Sequence, residues 1–202
     1  ISAVARIVKK FNIKIGGQNC SVAGSGANTG EISCEMLLDM GCSHVIVGHS
    51  ERRSLHGETD ALVAKKYAAA LDVGLTPILC VGESLEQHSS GETEVVVVGQ
   101  LSSVRETVGL GGLCSGIIAY EPLWSIGTGR AALPLKVQSV HETIRSCLGD
   151  EGAKTRIIYG GSLNSENSAA MFAEKDIDGG LVGGASLKAE DFLRIIKMAE
   201  RL

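Results

Sequence analysis

The chain has 202 residues, of which 44% are hydrophobic and 21% charged, and a net charge of −4 at pH 7. That length and balance suit one globular domain large enough to bury a real core. They exclude nucleic acid as the main partner, because no basic face is available to neutralise a run of phosphates. No apolar stretch is long enough to span a bilayer. The opening ISAVARIVKKFNIKI is interrupted by Arg6, Lys9 and Lys10 and does not read as a signal peptide.

In chain order, an amphipathic opening helix leads to the run IKIGGQN at 13–19. The further apolar runs are HVIVGH (44–49), LTPILCVG (75–82), GIIAYEPL (116–123), TRIIYGGS (155–162) and IDGGLVGG (177–184). Each is short, rich in Ile, Val and Leu, and lacks alternation, the pattern of strands buried on both faces of a parallel sheet. Between them, 58–74 has helical apolar spacing, opens with acids and stops near Gly74. The segment 94–109 carries a valine run that could be a strand, but its place between two better strands predicts a helix. Residues 133–150 begin with Pro134, where a missing N–H costs nothing, and 189–202 close the chain with an apolar stripe.

Strand and helix alternating six times predict an α/β fold of six βα units with right-handed crossovers, in a single domain over 1–202. Periodicity alone does not separate an open doubly wound sheet from a closed barrel. In both, ligands bind at the C-terminal ends of the strands. The six cysteines (Cys20, Cys34, Cys42, Cys80, Cys114 and Cys147) have no zinc-site spacing with histidine. They predict no metal and read as reduced thiols of a cytoplasmic protein.

Three features carry chemistry. His49 ends a strand and precedes SERR, a helix start whose amides and dipole disfavour imidazolium. A neutral ring there can donate a hydrogen bond to a carbonyl oxygen. Glu121 follows a buried run directly, with Pro122 behind it and the small residues of WSIGTG able to close over a ligand. A carboxylate at the edge of an apolar pocket is a candidate base. The glycine pairs in YGGS (159–162) and VGGAS (182–186) each follow a strand, so their amides can cradle an anion, with Ser162 adding a hydroxyl. A base, a neutral donor and a phosphate cradle suggest proton transfer beside a carbonyl in a small phosphorylated molecule. GxGxxG is absent after the first strand, which counts against a dinucleotide.

The segments VGHSERR (47–53), AYEPLWSIGTG (119–129), RIIYGGS (156–162) and LVGGASL (181–187) resemble the hallmark segments of the triosephosphate isomerase family. That family serves as a standard illustration of a glutamate base with a neutral histidine and a closing loop. The resemblance implies a TIM (β/α)8 barrel interconverting dihydroxyacetone phosphate and D-glyceraldehyde 3-phosphate without a cofactor, in glycolysis and gluconeogenesis. It implies Glu121 as the base and His49 as the electrophile. It implies Gly127, Ser162, Gly183 and Gly184 as phosphate contacts, with Trp124 and Ser125 opening the lid and Ser50, Glu51 and Cys80 in support. GQN and TGEIS are similar to the family's dimer region, which implies a homodimer with Thr29 near a loop tip and Glu31 facing Arg52 of a second copy. Asn28, Cys34 and Gly180 depart from the family pattern. So does the start: the family's first strand with its Asn-x-Lys motif, first helix and second strand have no counterpart. An N-terminally truncated, incomplete barrel is therefore expected, and a catalytically impaired chain that keeps phosphate binding or subunit contacts is the alternative reading.

Overall fold

The computed structural model describes residues 1–126 and 132–200. Backbone contacts divide the chain into two units, one of residues 1–80 with 101–116 and one of residues 81–100 with 117–202.

The first unit contains helices α1 (Ser2–Val8), α2 (Cys34–Asp39), α3 (Ser50–His56) and α4 (Asp60–Asp72), with strands β1 (Gly16–Gly17), β2 (His44–Val47) and β3 (Thr76–Val81, whose last residue opens the second unit). β1 pairs parallel with β2 through Gly16↔His44, and β2 with β3 from His44↔Thr76 to Val47↔Leu79. β1 is shorter than the expected 13–19. Its two glycines admit close neighbours: a Cβ on Gly17 would lie 2.7 Å from Leu37 Cδ1. α4 forms where the apolar spacing predicts it. The Thr59 side chain caps the Leu62 amide, and Val63, Ala64, Tyr67 and Ala70 make one buried face. Gly74, at φ +84°, takes the left-handed turn that releases the chain into β3.

The second unit contains α5 (Leu85–Ser89), β4 (Ile117–Tyr120), α7 (Pro134–Leu148), β5 (Ile157–Tyr159), α8 (Ser168–Phe172) and α9 (Ala189–Ala199). A capping box between Ser84 and Gln87 starts α5. Pro134 is the first residue of α7, which buries Val137, Val140, His141, Ile144 and Leu148 on one face. β4 and β5 pair parallel from Ile118↔Ile157 to Tyr120↔Tyr159.

One expected element is longer than its sequence pattern, and one expected strand does not form. The helix expected over 94–109 is α6, Thr93–Cys114, and it continues past a break at Gly109 (φ 74°, ψ 171°). Its last turn is held by Tyr67, whose hydroxyl donates to the carbonyls of Leu113 (2.8 Å) and Gly112 (3.2 Å). The run 177–184 forms only an isolated parallel bridge, Tyr159↔Gly180, so the described residues contain five strands rather than six. Half of IDGGLVGG is glycine, which pays the most backbone entropy and offers no side chain to pack. The segment still follows β5, with Asp178 N–H donating to Ile157 O (2.8 Å) and Leu181 N–H to Tyr159 O (2.8 Å). No helix among the described residues is long and apolar enough to cross a membrane.

Candidate active site

In the first unit, His49 follows β2 and caps α3. Its Nδ1 accepts from the Glu51 amide at 3.2 Å, and its carbonyl accepts from the amides of Arg52 and Arg53. Accepting at Nδ1 leaves the proton of the neutral ring on Nε2, which can serve as a donor. Gly48 makes this turn possible at φ +68°, and a Cβ there would lie 2.6 Å from Val63 Cγ1. Ser50 is buried and Glu51 exposed.

The tie that fixes this corner is Arg53, to which sequence reading assigned no role. Its Nε donates to Gly48 O (2.8 Å), its Nη2 to Cys80 O (3.2 Å) and its Nη1 to Asp60. One guanidinium thus joins the end of β2, the end of β3 and the start of α4, using the several donors that only arginine offers in a fixed plane. Cys80 is fully buried, and its carbonyl is part of this tie. Arg52 pairs with Glu58 of its own chain, and Glu58 also accepts from Lys66 (2.6 Å), which reaches Asn19 (2.8 Å). Burial pushes the Glu58 carboxyl up, but the hydrogen bonds and charges of Lys66 and Arg52 together outweigh it and hold the group below its usual range. Thr29 and Glu31 lie exposed on the loop before α2.

In the second unit, Glu121 directly follows β4 and is 2% exposed. Its amide donates to Val81 O at 2.7 Å. Gly82 is required beside it, since a Cβ there would fall 1.9 Å from Glu121 O. Gly160 packs against its side chain: a Cβ on Gly160 would lie 2.8 Å from Glu121 Cγ. The first glycine of YGGS is therefore needed for room beside the carboxylate.

The residues after Glu121 are anchored on Glu83, which is fully buried. It accepts from Trp124 Nε1 (2.8 Å) and from the Tyr120 hydroxyl (3.1 and 3.2 Å), and His88 lies 3.3 Å from it while stacking on Trp124 at 4.5 Å. Burial, then the charge of Glu83, pushes the Tyr120 phenol well up and keeps it a donor. Glu83 was assigned no role from sequence; its position directly after LTPILCVG was the available signal.

Ser125 is fully buried, with its hydroxyl 3.4 Å from that of Tyr159 and its carbonyl accepting from the Ser162 hydroxyl. Asn167 Nδ2 donates to Ser162 O at 2.8 Å. Glu121, Trp124, Ser125, Gly160 and Ser162 are thus gathered at the C-terminal ends of β4 and β5. Gly183 and Gly184 follow the bridge to Tyr159, and a Cβ on either would meet nothing within 4 Å. Among the described residues neither amide is spent on an internal hydrogen bond, while Gly183 O accepts from Ser186. Gly127 lies outside the described residues. No cluster able to hold a metal ion occurs among the described residues.

The family model for triosephosphate isomerase matches residues 1–199. The chain belongs to the triosephosphate isomerase family. It is 50% identical over 202 residues to the triosephosphate isomerase of Alcanivorax borkumensis, covering 98% of this chain and 82% of that one. Identity to the protein of the same name from Thiobacillus denitrificans is 55% over 190 residues, covering 92% and 77%. For that of Hyphomonas neptunium it is 51% over 192 residues, covering 93% and 76%. The chain is accordingly an isomerase by family, and the parallel strands and intervening helices of each unit accord with the α/β barrel class expected from sequence.

Proposed function

We propose that the chain interconverts dihydroxyacetone phosphate and D-glyceraldehyde 3-phosphate through an enediolate, with no cofactor. The observation that carries this reading is the Glu121 carboxylate, 2% exposed and bounded by Gly160, in a chain half identical to proteins of that name. A carboxylate held out of water is a more avid acceptor of a carbon-bound proton. Glu121 takes the proton from the carbon bearing the hydroxyl and returns it to the neighbouring carbon. His49 donates from Nε2 to the oxygen on which negative charge develops, a role supported by the amide bonded to its Nδ1.

The substrate phosphate rests on the amides of Gly183 and Gly184, with Ser162 and Gly127 contributing. Trp124 and Ser125 set the start of the covering segment through Glu83 and Tyr159. Ser50, Glu51 and Cys80 support the His49 corner. The active form is a cytoplasmic homodimer working in glycolysis and gluconeogenesis, with Thr29, Glu31 and Arg52 at the contact between copies.

The test is isomerisation by the 202-residue chain, together with exchange of solvent hydrogen at the carbon beside the carbonyl. Glu121→Asp and His49→Gln should each lower kcat by about 10²–10⁴-fold. Both variants turning over like the parent would overturn the assignment. So would a parent chain that binds a phosphorylated enediolate mimic without isomerising substrate.

A further inference from the structure

Cys20 and Cys34 sit at the two ends of the loop 21–33, and the isomerase chemistry uses neither. The base of that loop is closed by the Ser21 amide donating to Ile32 O at 2.8 Å. Cys34 Sγ lies 4.0 Å from Ser21 O, the residue after Cys20, and Cys20 Sγ lies 3.9 Å from Lys66 O. The closed loop base brings the two thiols to the same place, and both residues are almost fully buried. Cys34 also lines a cavity of about 120 Å³ walled by Ser21, Gly24, Glu35, Ala69 and Asp72. A water molecule takes up about 30 Å³, so a small hydroperoxide fits.

We infer that Cys20 and Cys34 are a reactive dithiol that a hydroperoxide converts to a disulfide closing the base of the loop 21–33. The chemistry is asymmetric. The neighbouring Cys34 and burial both push the Cys20 thiol up, while the neighbouring Cys20 holds Cys34 below the usual thiol range. Cys34, which lines the cavity where Cys20 does not, is the attacking sulfur. Its thiolate attacks one peroxide oxygen, the O–O bond breaks, and hydroxide leaves to become water. The Cys34 sulfenic acid is then attacked by the Cys20 sulfur; the S–O bond breaks, and the Cys20 proton leaves with the hydroxyl as a second water. Two thiols and one hydrogen peroxide give one disulfide and two waters, with sulfur oxidised and peroxide oxygen reduced.

The test treats the native chain with one equivalent of hydrogen peroxide. Remaining thiols are then alkylated in denaturant, and the protein is digested without reductant for mass spectrometry. The expected product is a cross-linked peptide pair joining Cys20 to Cys34. It should disappear on treatment with dithiothreitol, be absent from Cys34→Ser and persist in Cys147→Ser. Closing a loop of this size should lower the unfolding equilibrium constant of the oxidised chain by roughly a hundredfold, read from urea titration. Recovery of Cys20 and Cys34 as alkylated thiols while Cys114 or Cys147 is oxidised would overturn the inference. A Cys34 sulfinic acid without a cross-link would do the same. Should Cys34→Ser fail to fold, the peptide map of the parent chain decides alone.

Discussion

Gly48 and Gly160 are each irreplaceable for a different reason, and the two substitutions should fail differently. Gly48 combines φ +68° with a close wall at Val63. Gly48→Ala should cost about 2–4 kcal/mol of stability in urea titration, from left-handed strain and overpacking together. Gly160 has no positive φ; what limits it is Glu121 Cγ, 2.8 Å from an added Cβ. Gly160→Ala should therefore displace the carboxylate and lower kcat/KM by about 10²-fold, the scale of a misplaced reacting group. At this scale the sequence was readable where one residue type carries the meaning: Glu121 after a buried run, His49 before SERR. It was not readable where a long side chain bonds distant backbone. Arg53 and Glu83 looked like any charged residue, because their partners at Cys80, Tyr120 and Trp124 are assigned by folding alone.

Within single elements, α7 and α4 both bury ionisable groups, with different consequences. His141 on α7 is fully buried, and its Nδ1 donates to Asp176 O at 2.9 Å. Burial lowers its pKa to about 4. Between the unfolded value near 6.5 and that folded value the unfolded chain binds the extra proton, so stability is lost as pH falls through this window. The loss should approach about 3 kcal/mol by the lower end, and His141→Phe should flatten the profile. Lys66 on α4 belongs to a buried network, and Glu58→Gln strips its charge partner. That variant should lose about 3 kcal/mol, part of which returns in the double variant with Lys66→Met. The Glu58 carboxyl is held low, so its contribution is present above the ordinary carboxylate range and lost as pH falls through its folded value. The helical period of α4 and α7 was plain in the sequence. That Lys66 points inward at Glu58 and Asn19 was not, because a lysine at that spacing reads equally well as a surface residue.

For the whole molecule, assembly is the property that concentration tests. If the loop 21–31 joins two copies, the midpoint of thermal unfolding should rise with protein concentration, and a midpoint independent of concentration would remove the proposed dimer. Chain length, charge and the alternation of apolar runs with helical segments determined the fold class, because periodicity and capping are local and act wherever the chain finds itself. The same local chemistry placed the glutamate, the histidine and the glycine turns at strand ends. Tertiary structure alone decided that 177–184 forms a bridge rather than a strand, that Arg53 ties three elements, that Glu83 gathers Trp124 and Tyr120, and that the loop 21–33 closes at its base between Ser21 and Ile32. Each of those depends on contacts between residues far apart in sequence, whose energy exists only once the backbone has brought them together.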